Sequence, residues 1–177
     1  NRSETIIHPT AIVSSEADIG HKTVIGPFVY IGSNVEIGNE CWIQPNTVIG
    51  TDGFGFARDD SGKLHRQAHI AGIKIGDRVE LGANNCVDSG VFKTTKIGDG
   101  TKTDNFVHIP HNATVGKDVM LTVGCMLSGH SVVEDHSYVH PQVTVGNWVT
   151  VGKGAEIGSH STVLDDIPPY SKAVGSP

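Results

Sequence analysis

Five histidines, His108, His111, His130, His136 and His140, fall between residues 108 and 140. An imidazole suits proton transfer near neutrality because its unperturbed pKa lies there. His111 has the most suggestive surroundings, with Asp104-Asn105 before it and Ser128-Gly129-His130 after it. It stands two places after Ile109, at an expected corner of the chain, with its side chain outward. This is the leading catalytic candidate. The other four are expected to face outward too, where each either lines the same cleft, with His108 and His130 as candidate substrate contacts, or is a solvated or interface histidine.

The elements that must position these residues are written in a period of six. Ile7, Val13, Ile19, Ile25, Ile31, Ile37, Ile43 and Ile49 recur without a break, often followed by Gly. Four residues after each comes a small or β-branched residue, among them Ala11, Ala17, Thr23, Val29 and Cys41. Alternation within a short run, punctuated every six residues, describes a strand that turns a corner and starts again. Hexapeptide periodicity of this kind indicates a parallel β-helix. The register lapses at 51–73, a polar excursion with Phe54 and Phe56 at its base, expected to be extruded over a cleft. It resumes at Ile75, shifts at Lys93–Lys96, and runs from Ile97 to Val163 with Thr103 as its one polar member. Paired prolines are expected to end the repeat, leaving an extended tail at 168–177. Residues 1–177 thus read as one domain of seven to eight coils. Three six-residue faces make a coil, so residues 18 apart stack at one corner, as His111 and Gly129 do.

Composition narrows the partners. The chain has 177 residues, 22 of them Gly, and a net charge of −6, which argues against nucleic acid. No apolar run is long enough to span a bilayer and the N-terminus lacks a signal pattern, so a cytoplasmic protein without membrane insertion is expected. Asn1 is not an initiator Met, so residues or a domain upstream are expected. The cysteines form no Cys-x-x-Cys pair, and Cys41 and Cys125 are expected to be buried thiols. Trp42, Tyr138, Val139 and Trp148 are placed on the outer prism faces, which favours side-by-side association.

The repeat resembles the hexapeptide acyltransferases, whose fold is a left-handed parallel β-helix. IHPTAIVSSEADIGHKTVIGPFVYIG at 7–32 is similar to the opening of the UDP-N-acetylglucosamine O-acyltransferases. GTDGFGFA at 50–57, IGDRVELGANNCVDSG and IGDGTKTDNFVHIPHN resemble the UDP-3-O-acylglucosamine N-acyltransferases. That resemblance implies a homotrimer with sites between neighbouring prisms, His111 as general base, and the Gly129 N–H as oxyanion donor. It implies acyl transfer to the amine of a nucleotide-linked amino sugar in lipopolysaccharide or surface-glycan synthesis.

That family also has an N-terminal nucleotide-recognition domain and a C-terminal helical extension, and neither is expected within residues 1–177. Trp148 stands about where the family has a second histidine. IPPYSKAVGSP is instead similar to the close of coenzyme A-dependent acetyltransferases, which makes acetyl-coenzyme A the expected donor and acyl carrier protein the alternative. Lys172 and Gly175 are then expected at the cofactor groove.

Acyl transfer needs a base, an oxyanion donor and a cleft aligning both substrates. Asp104 is expected either to orient an imidazole or to be an ordinary corner residue. Asn105 and Asn112 are candidates for substrate binding or simply for corners that tolerate positive φ. Phe54 and Phe56 either stack on a base or sugar or anchor the excursion. A rival class is the zinc-dependent β-helix carbonic anhydrase, with three histidines across a subunit interface. The acyltransferase reading expects no metal.

Overall fold

Aliphatic residues six apart can share one core only if each short strand is followed by a turn of about 120°, and the chain does this throughout. The computed structural model describes residues 4–176. It is a left-handed parallel β-helix of two- to five-residue strands, with no helix among the described residues. Three parallel sheets of nine, seven and eight strands form the prism faces. The register is the one expected, with Leu121 over Val139, Val115 over Val133 and Leu127 over Val145.

The core is one continuous column, with Ile43, Leu81, Leu121 and Ile157 each at most 1% exposed. Val139 belongs to this column and is fully buried, contrary to its expected place on an outer face. The six-residue period decides the matter, since Val139 continues the inward series. Trp42 and Trp148 do face outward. Thr103 is tolerated inside because its hydroxyl oxygen accepts from Gly82 N–H at 3.1 Å and from Asn85 Nδ2 at 2.5 Å.

The excursion forms an antiparallel hairpin, Phe56–Arg58 against Leu64–Arg66. Asp59 knits its turn, accepting from Ser61 N–H and Lys63 N–H. The column closes beneath it, because Ile73–Ile75 pairs directly with Val35–Ile37. At the other end the prolines do not stop the coil. Ile167 bridges Val151, and Lys172–Ala173 pairs with Glu156–Ile157. Pro168 and Pro169 occupy a corner, where no strand N–H is required.

Candidate active site

The corner after His108–Ile109 carries His111, and the next coil repeats the geometry with Gly129 after Met126–Leu127. The two stack as the 18-residue spacing requires. A Cβ built on Gly129 would lie 2.8 Å from His111 Cε1 and 3.0 Å from Nε2, so that edge of the imidazole lies against a bare backbone. Gly129 is buried, and its N–H has no acceptor among the described residues. Buried N–H groups without partners are rare in folded proteins. A donor aimed at a ligand is a physical reason for one.

Asn112 is 2% exposed and takes φ of 61°, the left-handed corner conformation. It does not reach out to solvent as a substrate ligand would. Its Oδ1 accepts from Val91 N–H at 2.8 Å, and its Nδ2 donates to His111 Nδ1 at 3.1 Å and His130 Nε2 at 3.0 Å. The His130 ring stacks on Trp148, with centroids 3.7 Å apart and planes at 11°. Asn112, His130 and Trp148 are thus rungs of one ladder, 18 residues apart. Burial, then the neighbouring His69 and His130, depress the pKa of His111. Burial, then Lys93, depress that of His130. Both imidazoles are therefore neutral at neutral pH.

The hairpin brings the parts that repeat arithmetic misses. His69, on its return strand side, packs edge-on against His111 with centroids 5.4 Å apart. Gly53, where the chain leaves the prism, faces three titratable side chains at once. A Cβ there would meet Asp88 Oδ2 at 2.9 Å, His111 Cδ2 at 3.1 Å and His69 Nε2 at 3.2 Å. Asp88 also accepts from His108 Nε2 at 3.0 Å.

A cleft of about 690 Å³ runs from this point, lined by Phe54, Phe56, Arg66, Phe106, Asp88 and His108. Phe54 and Phe56 meet edge to face, and the Arg66 guanidinium lies 4.8 Å above the Phe56 ring. The cleft is of ligand size, largely apolar with a few charged groups.

Asp104 and Asn105 are not brought to His111. They occupy the neighbouring corner, where Asp104 accepts from Asn105 N–H and Asn105 accepts from Ala83 N–H. Asp88, from the adjacent coil, is the carboxylate beside the imidazoles. Lys172 and Gly175 lie far along the prism, in the closing coil. Lys172 pairs with Glu156 at 2.6 Å, and Gly175 N–H donates to Ser161. Among the described residues no three His, Cys, Asp or Glu side chains converge as metal ligands.

The chain matches the model of the bacterial transferase hexapeptide (six repeats) at residues 16–51 and 130–165. It is 37% identical over 129 residues to a UDP-3-O-acylglucosamine N-acyltransferase of Methylorubrum extorquens, covering 73% of this chain and 36% of the relative. A protein of the same name from Oleidesulfovibrio alaskensis is 44% identical over 82 residues, 46% of this chain and 24% of that one. The chain thus spans about a third or less of the length of these curated relatives. Among solved structures, a UDP-N-acetylglucosamine acyltransferase from Bacteroides fragilis superposes with a TM-score of 0.75 at 25% identity, covering 93% of this chain and 69% of that one. A Campylobacter jejuni UDP-N-acetylglucosamine acyltransferase shares the fold with a TM-score of 0.78 at 24% identity, covering 96% and 71%.

Proposed function

The chain is a hexapeptide-repeat protein, and from that premise we propose that it is an acyltransferase, moving an acyl group from a thioester to the amine of a nucleotide-linked amino sugar. The observation that carries this reading is the buried Gly129 N–H, unpartnered and covered by the neutral imidazole of His111. A thioester carbonyl seated there would find a fixed donor for the charge that develops on its oxygen. An imidazole would stand at the same carbon to handle the amine proton. The cleft beyond Gly53, with three phenylalanines and one guanidinium, supplies room for the rest of a substrate.

The relatives' names support a UDP-linked glucosamine derivative as acceptor in lipid A or related glycan synthesis. For the donor we propose acetyl-coenzyme A, on the likeness of the closing segment. Long-chain acyl carrier protein is the reading the N-acyltransferase names favour. In the closing coils the Lys172 charge is already paired to Glu156, and Asp165 and Asp166 are exposed. That sign of charge repels an acidic carrier protein. Active sites between the prisms of a homotrimer complete the proposal, in a cytoplasmic enzyme.

The test is thiol release, with product mass, from acetyl-coenzyme A and from long-chain 3-hydroxyacyl carrier protein, each offered UDP- and dTDP-linked amino sugars. Sugar-dependent release from either donor supports acyl transfer, and turnover with the carrier protein alone overturns the acetyl proposal. No sugar-dependent release from either donor overturns the acyltransferase reading.

A further inference from the structure

Asp88 is a buried carboxylate without a fixed counter-charge. Its side chain is 10% exposed, and its one hydrogen bond among the described residues comes from His108 Nε2, at 3.0 Å to Oδ2. No lysine or arginine among the described residues pairs with it. Arg66, the guanidinium of the same cleft, is engaged over the Phe56 ring instead. Carboxylates rarely sit this deep without a positive partner, because burial costs the charged form its hydration. Asp88 lines the cleft, and its Oδ1 has no hydrogen-bond partner among the described residues. An open oxygen on a buried carboxylate is a place for a donor carried by the ligand.

The bare backbone of Gly53 brings this carboxylate to the reacting corner. A Cβ there would stand 2.9 Å from Asp88 Oδ2 and 3.1 Å from His111 Cδ2, so carboxylate and imidazole converge on one point. The other titratable groups around that point are His69, His108 and Cys86. None of them is a fixed cation, and Asp52 adds a second negative charge to the cleft. The field at this end of the cleft favours a positive ligand group.

The valence of the attacking group decides what such a pair can handle. A sugar amine that enters as an ammonium releases one proton to water and keeps two N–H groups. One can donate to Asp88 while the other is delivered to His111. A hydroxyl has a single proton. If it donates to Asp88 it has none for the base, and if it faces the base it turns a bare oxygen toward a buried carboxylate. Resting on the acyl-transfer reading, we propose that Asp88 receives the acceptor's amine and makes the site select amines over hydroxyls. The amine lone pair bonds to the thioester carbon, and the carbonyl pair moves onto the oxygen held by the Gly129 N–H. His111 takes one N–H proton. The C–S bond then breaks with its pair going to sulfur, and the proton passes from His111 to that sulfur. The N–H left in the amide product is the one held by Asp88.

Equilibrium binding, which needs no acyl donor, is the first test. UDP- and dTDP-linked amino sugars are titrated calorimetrically into the full chain, each beside the same sugar with a hydroxyl in place of the amine. The wild type should bind an amine about 10- to 100-fold more tightly than its hydroxyl counterpart, the difference expected for a hydrogen bond to a charged group. That preference should shrink as pH rises above the amine's own pKa, and it should vanish in Asp88→Asn. Equal affinity within every pair, no binding of any sugar, or a preference that survives in folded Asp88→Asn overturns the proposal. Were that variant unfolded, the pH dependence of the wild-type preference decides alone, and a preference that does not shrink overturns it. The second test is thiol release with the same pairs of sugars, where Asp88→Asn should lower the amine-to-hydroxyl ratio of kcat/KM at least about tenfold. An unchanged ratio contradicts the proposal. A wild type that binds the amine selectively but releases no thiol defeats the acyl-transfer reading and leaves the amine site standing.

Discussion

At the scale of single residues, the site depends on what is missing at Gly53 and Gly129 as much as on the imidazoles. Gly53→Ala would press a methyl group against Asp88 Oδ2, His111 Cδ2 and His69 Nε2, all of them side-chain ends that can move aside. The expected outcome is a protein whose denaturant midpoint changes little while turnover falls at least tenfold. A variant with wild-type turnover would show that this point is not part of the site. A second prediction concerns pH. Burial depresses the pKa of His111 and His130 below the ordinary value of 6.5, so the unfolded chain binds more protons than the folded one in the window just beneath it. Stability is therefore unaffected above that value and falls as pH drops through it. Urea midpoints measured from about pH 7.5 to about pH 5.5 should decline, and His130→Gln should flatten the slope. His111 and Gly129 were legible in sequence because both obey the six-residue period. His69 and Asp88 were not, since the hairpin lies outside it and the pairing register shifts between Val87 and Asp88, and only folding brings them to Gly53.

At the scale of elements, the coil is set by its corners. Among the described residues sixteen non-glycine residues adopt positive φ, including Phe28, Phe106, Trp148 and Tyr170, a conformation costly for a bulky L-residue. The hexapeptide period marks where corners fall, but not which of them bulky residues occupy. Stacking between coils explains some of these. Tyr170 lies over Gly154, whose own φ is 64° and whose added Cβ would sit 2.7 Å from the ring. Gly154→Ala should cost more than about 1 kcal/mol, through both backbone strain and the displaced ring, whereas the core change Leu121→Ala should cost about 2–5 kcal/mol. Equilibrium denaturation of the two variants checks that order. The paired prolines read as a stop because proline ends strands; here Ile167, just before them, bridges Val151, the corner takes the rings, and the coil runs on to Lys172–Ala173.

At the scale of the whole molecule, the prism has two exposed tryptophans, Trp42 at 47% and Trp148 at 72%. A trimer would cover such faces, and light scattering at micromolar concentration should give about three times the 18.7 kDa of one chain. A monomeric mass would remove the proposed sites between prisms. The architecture itself was readable almost completely, because a period of six repeated over most of the chain leaves few other ways to bury its aliphatic residues. What the period does not encode is the proposed reaction, which we place at the corner where His111 meets Gly129. The most direct measurement is kcat/KM for His111→Ala against wild type, by thiol release with the donor and amino sugar that the wild type turns over. The loss expected for removing a group that touches the reacting atoms is about 100- to 10,000-fold, with the unfolding midpoint nearly unchanged. A variant that turns over at the wild-type rate would place the chemistry elsewhere on the prism.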